Sequence, residues 1–118
     1  MILQKYALVK IVFIFTALFF FATRAHSNSD DQKAFTLAKQ NACLGCHAVD
    51  KKIVGPSFQS VAKKYQQDQN APTFLKNKIT KGGSGSWGVV PMPANTKLSD
   101  AELTLMVSWI LRGAPKQN

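Results

Sequence analysis

The sequence predicts an all-α domain of about four helices gathered around one long irregular loop. Apolar residues recur at helical spacing in four separate stretches, and no stretch alternates with the two-residue period of a strand. The 118-residue length suits one small domain, without an internal repeat or a long linker.

Each element has its own signals. The first helix opens with Ser29 and has Gln32 three positions later, a capping-box pattern. It then sets Ala34, Phe35, Ala38 and Ala42 on one side and leads into the cysteines. A second helix follows Gly55-Pro56, with Phe58, Val61, Ala62 and Tyr65 in helical register. The third begins near Asn70-Ala71-Pro72, since proline suits a first helical turn; it carries Phe74, Leu75 and Ile79 and stops at Gly82-Gly83. The fourth is the clearest. Ser99 with Glu102 forms a capping box, Asp100 adds negative charge where the helix dipole favours it, and Leu103, Met106, Val107, Ile110 and Leu111 form an apolar stripe. Arg112, Gly113 and Pro115 are the stop signals. Between helices three and four, Gly82 to Lys97 is too rich in glycine and proline for a helix and reads as a loop that holds something in place.

The start of the chain reads differently. Lys5 and Lys10 precede the apolar run Ile11 to Ala22, and small residues follow to Ser27. A positive start, a short apolar segment and a small-residue exit describe a secretory signal peptide, residues 1–25, with a cut after Ser27 as the alternative. The run is short against the roughly 20 residues of a spanning helix, which disfavours an uncleaved anchor and stable membrane insertion. The expected domain is then 26–118, located in the periplasm. Loss of Lys5, Lys10 and Arg24 leaves it 12 basic side chains against 6 acidic ones. A domain this small buries only a modest core, so a cofactor or cross-link is expected.

The two cysteines supply it. Cys43-Leu44-Gly45-Cys46-His47 has the C-x-x-C-H spacing of c-type haem attachment. Two thiols three positions apart share one side of a helical turn and can add to the two vinyl groups of one haem. The histidine that follows then falls beneath the iron. A disulfide between them would close a tiny loop and gain little. A thioredoxin-like pair would need a βαβ unit. A structural zinc site wants four ligands, and the chain adds only His26 at the cleavage zone. Met92, in Pro91-Met92-Pro93, is the candidate for the opposite axial position. The prolines stiffen the loop around it, and a thioether is a soft iron ligand that raises the potential. Met106 lies on the apolar stripe and reads as core filler.

With these residues in view, the sequence resembles the small bacterial class I monohaem cytochromes c, the short periplasmic type with His/Met ligation. The resemblance runs from about Asp31 to Leu111. It rests on Cys43 to His47, Val54-Gly55-Pro56, the loop Trp87-Gly88-Val89-Val90-Pro91-Met92-Pro93-Ala94-Asn95, and the terminal helix with Trp109. It implies the class I cytochrome c fold wrapped around one covalently bound haem c. It further implies thioethers at Cys43 and Cys46, axial ligation by His47 and Met92, and a Pro56 carbonyl accepting from the second ring nitrogen of His47. Trp87 and Lys78 would donate to haem propionates, and Asn95 to the sulfur of Met92. Phe35 and Trp109 would pack where the first and last helices cross. Val89-Val90 departs from the relatives that carry a further proline there, which leaves the loop slightly less constrained.

The function this implies is single-electron shuttling between respiratory redox partners, not enzymatic catalysis. Eleven lysines, from Lys33 to Lys116, carry the positive excess, which suits acidic docking patches on donor and acceptor proteins. A monomer is expected, and nucleic-acid binding is not. The competing classes are a haem peroxidase or sensor with a displaceable Met92, and a haem subunit fixed to a larger oxidoreductase or anchored to a membrane.

Overall fold

The computed structural model describes residues 29–116. The expected signal peptide, residues 1–25, and the alternative cut after Ser27 lie outside the described residues. Four α-helices and one short 3₁₀ turn make up the regular structure: α1 (residues 29–40), the 3₁₀ turn Cys43–Gly45, α2 (Phe58–Tyr65), α3 (Ala71–Lys81) and α4 (Asp100–Leu111). No strand longer than an isolated bridge occurs among the described residues. The all-α prediction holds.

α4 organises the core. The Ser99 hydroxyl accepts from the Glu102 backbone N–H while the Glu102 carboxylate accepts from the Ser99 backbone, so the capping box is complete. Five α4 side chains are buried, Leu103, Met106, Val107, Trp109 and Ile110, against α2 and α3. Met106 is 1% exposed, a core filler as its spacing implied. α1 crosses the same helix with Ala34 and Ala38 fully buried, residues small enough to let two backbones approach. The Phe35 ring meets the fully buried Trp109 edge-on at 6.2 Å. Arg112 donates to the buried carboxylate of Asp31, which fastens the end of α4 to α1.

α2 is capped by the Ser57 hydroxyl, which accepts from Ser60 N–H at 3.0 Å. α3 carries Pro72 in its first turn and ends at Gly82 with φ 68°. Beyond Gly82 the irregular loop runs to the Ser99 cap, as its composition implied.

Two expectations need correction. Ser29 is itself helical and does not stand before the first turn, because pattern alone places helix ends only to within a residue or two. Ala42 is not on the α1 face: it is exposed, with φ 59°, because the chain must leave the helix sharply to present Cys43. Phe74 is 38% exposed; it packs against Tyr65 at 5.3 Å and faces a cavity.

Candidate functional site

A cavity of about 410 Å³ opens between the 3₁₀ turn, α2, α3 and the long loop. Its lining includes Cys43, Cys46, His47 and Met92, and also Pro56, Lys78, Trp87 and Asn95. Residues far apart in sequence therefore meet around one space.

The attachment turn is built by backbone bonds. Gly45 N–H donates to Ala42 O at 3.1 Å, Cys46 N–H to Cys43 O at 3.2 Å, and His47 N–H to Cys43 O at 2.9 Å. The turn and its bonds thus bring Cys43, Cys46 and His47 to the lining of one cavity, with no disulfide between the cysteines. Burial pushes the Cys43 thiol above its ordinary pKa.

His47 is fixed from three sides. Its Nδ1 lies 2.7 Å from the Pro56 carbonyl oxygen. A carbonyl only accepts, so Nδ1 carries the proton and Nε2 keeps a free lone pair. The ring stacks on Phe58 at 5.3 Å and 16°, and Phe58 meets Trp109 at 5.2 Å. Against the ring lies Gly55, where an added Cβ would sit 2.6 Å from His47 Cε1. Gly55 N–H donates to Cys46 O at 2.8 Å and Phe58 N–H to Ala48 O at 2.9 Å, which folds the 48–57 segment back beneath the imidazole.

Met92 is presented by the loop. Its N–H donates to Gly83 O at 3.0 Å and its carbonyl accepts from Gly83 N–H at 2.9 Å. Asn95 N–H donates to Ile79 O at 2.9 Å, so the loop lies along the end of α3. Gly82 permits this approach: a Cβ there would lie 2.7 Å from Ala94 N.

The remaining predicted residues line the same cavity. Trp87 is 44% exposed, with Lys64 Nζ 4.5 Å above its ring and bonded to Ser86 O at 2.7 Å. Lys78 has its Nζ 5.9 Å from the Phe74 ring centre. The Asn95 amide nitrogen donates to Asn41 Oδ1 at 3.3 Å, and the Met92 sulfur is not among its hydrogen-bond partners. Reading the sequence took Gly82 only as a helix stop and Phe58 only as an apolar helix residue, and it gave no site role to Gly55, Lys64 or Asn41. The pairing of Gly55 with the following Pro56 was the one local signal of a close backbone approach.

These residues fit a covalently held haem. Two unbridged thiols share one turn, an imidazole keeps Nε2 free, a soft thioether lies on the opposite loop, and the space between is walled by apolar side chains such as Phe58, Val61, Leu75 and Ile110. A helical domain arranged in this way is a c-type haem protein. The profile described as Cytochrome c matches residues 32–114, and the chain belongs to that family. It is 47% identical over 75 residues to cytochrome c-552 of Nitrosomonas europaea, covering 64% of this chain and 73% of that protein. Cytochrome c-552 of Hydrogenobacter thermophilus is 49% identical over 75 residues, with coverage of 64% and 76%. The crystal structure of wild-type Nitrosomonas europaea cytochrome c552 superposes with a TM-score of 0.63 at 45% identity, covering 66% of this chain and 96% of that one. The class 1 cytochrome MtoD from Sideroxydans lithotrophicus ES-1 reaches 0.63 at 32% identity. The class I fold and a covalently attached haem c with its iron follow from this membership. Among the described residues, no helix is long and apolar enough to cross a membrane.

Proposed function

We propose that this protein is a periplasmic carrier of single electrons, with His47 and Met92 as the two axial ligands of its haem iron. The observation that carries the reading is the commitment of His47 Nδ1 to the Pro56 carbonyl, with Met92 held on the facing loop of the same cavity. Cys43 and Cys46 would hold the haem through thioethers. When bound, the haem iron supplies a one-electron couple between its ferric and ferrous states.

The chain's own residues do the rest. The Pro56 carbonyl holds the proton on His47 Nδ1 and fixes the plane of the ring. Phe58 stacks on that plane and Gly55 lies close against the ring, so little need move when the charge on the iron changes. The Gly83–Met92 backbone pair keeps the thioether loop shut, which denies substrates and small ligands an open position and favours transfer over catalysis. Trp87 and Lys78 are proposed as propionate donors from the cavity rim. Residues 1–25 are proposed as a cleaved signal peptide, with the mature domain a monomer. Its partners are donor and acceptor redox proteins with acidic docking surfaces, suited to the net charge of 26–118.

The absorption spectrum of the ferric protein tests the ligand pair. The weak long-wavelength sulfur-to-iron band should be present in the wild type and absent in Met92→Ala. A wild type without the band would remove Met92 from the iron and favour a haem enzyme or sensor.

A further inference from the structure

The structure joins the Met92 loop to the haem-attachment segment through two asparagine side chains. Asn95 Nδ2 donates to Asn41 Oδ1 at 3.3 Å across a separation of 54 residues. The surrounding bonds fix both amides. Asn41 Nδ2 donates to Leu37 O at 3.0 Å, which leaves Asn41 Oδ1 as the acceptor turned toward Asn95. Asn95 Oδ1 accepts from Lys97 N–H at 3.0 Å, which turns its nitrogen toward Asn41. A flip of either amide would set donors against donors, so one arrangement satisfies the whole chain of bonds.

The position of this pair gives it a role. The other backbone bonds around Met92, to Gly83 and through Asn95 N–H to Ile79, go to α3 and its end. Among the described residues, Asn41–Asn95 is the hydrogen bond that ties the loop to the segment carrying Cys43, Cys46 and His47. Both residues line the haem cavity and are partly buried, so solvent competes weakly for the bond. Asn41 sits two positions before Cys43, whose sulfur lies 3.7 Å from the Asn41 carbonyl oxygen. One residue thus touches the attachment turn with its backbone and the methionine loop with its side chain.

We propose that Asn41 is a positioning residue that acts through Asn95 to hold Met92 at the iron, and so sets how readily the thioether gives way to an external ligand. This rests on the ligand pair proposed above. Loosening the loop on its Asn41 side lets the sulfur leave more often, while the bonds to α3 keep the fold intact.

The test is the rate at which imidazole displaces Met92 in the ferric holoprotein, followed by loss of the sulfur-to-iron band. Asn41→Ala should raise that rate about three- to tenfold, the equivalent of one hydrogen bond. Asn41→Asp keeps an acceptor for Asn95 but, like alanine, loses the donor to Leu37 O. It should exchange near the wild-type rate, which separates the loop contact from a general effect on the end of α1. Asn95→Ala should exchange fast, with Asn41→Ala adding little on top. Equal rates in Asn41→Ala and wild type, or equal acceleration in the alanine and aspartate variants, would overturn the role of Asn41 while leaving Met92 as ligand. A wild type lacking the band would overturn both readings.

Discussion

At the position of Gly55 a single hydrogen atom decides whether the imidazole can lie where it does. A methyl group there would meet His47 at 2.6 Å, well inside contact distance, and neither neighbour is free to yield. The ring is held by Phe58 and Pro56, and the Gly55 backbone by Cys46 O. Gly55→Ala should therefore cost about 1–3 kcal/mol in thermal or denaturant unfolding of the holoprotein, the usual scale of overpacking. Gly82 carries a second constraint of the same kind. Its φ of 68° and its approach to Ala94 both exclude a side chain, so Gly82→Ala should destabilise the protein and weaken the sulfur-to-iron band. A variant with full stability and an unchanged band would show that the loop can reach Met92's position by another path.

Among the elements, α4 depends on its two ends. The Glu102 carboxyl is held below the usual carboxylate range by hydrogen bonds from the Ser99 backbone and side chain. A carboxyl lowered in the folded state contributes stability above its ordinary pKa and loses it as pH falls through the folded value. Ser99→Ala should lower Tm by a few degrees at neutral pH, and the difference from wild type should shrink in acid. Melting curves at both pH values check this. At the other end, Asp31 is 4% exposed and takes its charge partner from Arg112. Removal of the guanidinium strands a buried carboxylate, so Arg112→Ala should destabilise more than Asp31→Asn with Arg112→Ala together. Such a cycle, read by denaturant unfolding, measures how much α1 and α4 depend on this pair. The glycine-rich loop has its own tie in Lys64, which bonds Ser86 O and covers the Trp87 ring. Lys64→Ala should speed amide exchange at Gly85 to Gly88 without altering α4.

Across the whole molecule, local signals proved more legible than contacts between distant segments. Ser99 and Glu102 announced α4 because a capping box lies within one turn. Cys43 to His47 announced the attachment turn for the same reason. The proline-flanked Met92 was legible because its neighbours constrain it within three residues. The left-handed Ala42 was not, since an alanine gives no sign that tertiary demands will override its helix preference. Phe74 shows that periodicity marks a face without saying whether protein or cavity covers it. Asn41 carried no signal and Asn95 was expected only as a donor to the Met92 sulfur, so their meeting arises only when α1 and the loop are brought together.

The basic excess of 26–118 also belongs to the whole molecule. Its electron-transfer rate with an acidic redox protein should fall as salt rises, and a flat salt dependence would remove electrostatic steering from the account. The claim on which the function turns is that the iron is closed from both sides. Exposure of the reduced holoprotein to carbon monoxide tests it most directly. The spectrum should not change at neutral pH, whereas prompt carbon monoxide binding by the folded protein would contradict it.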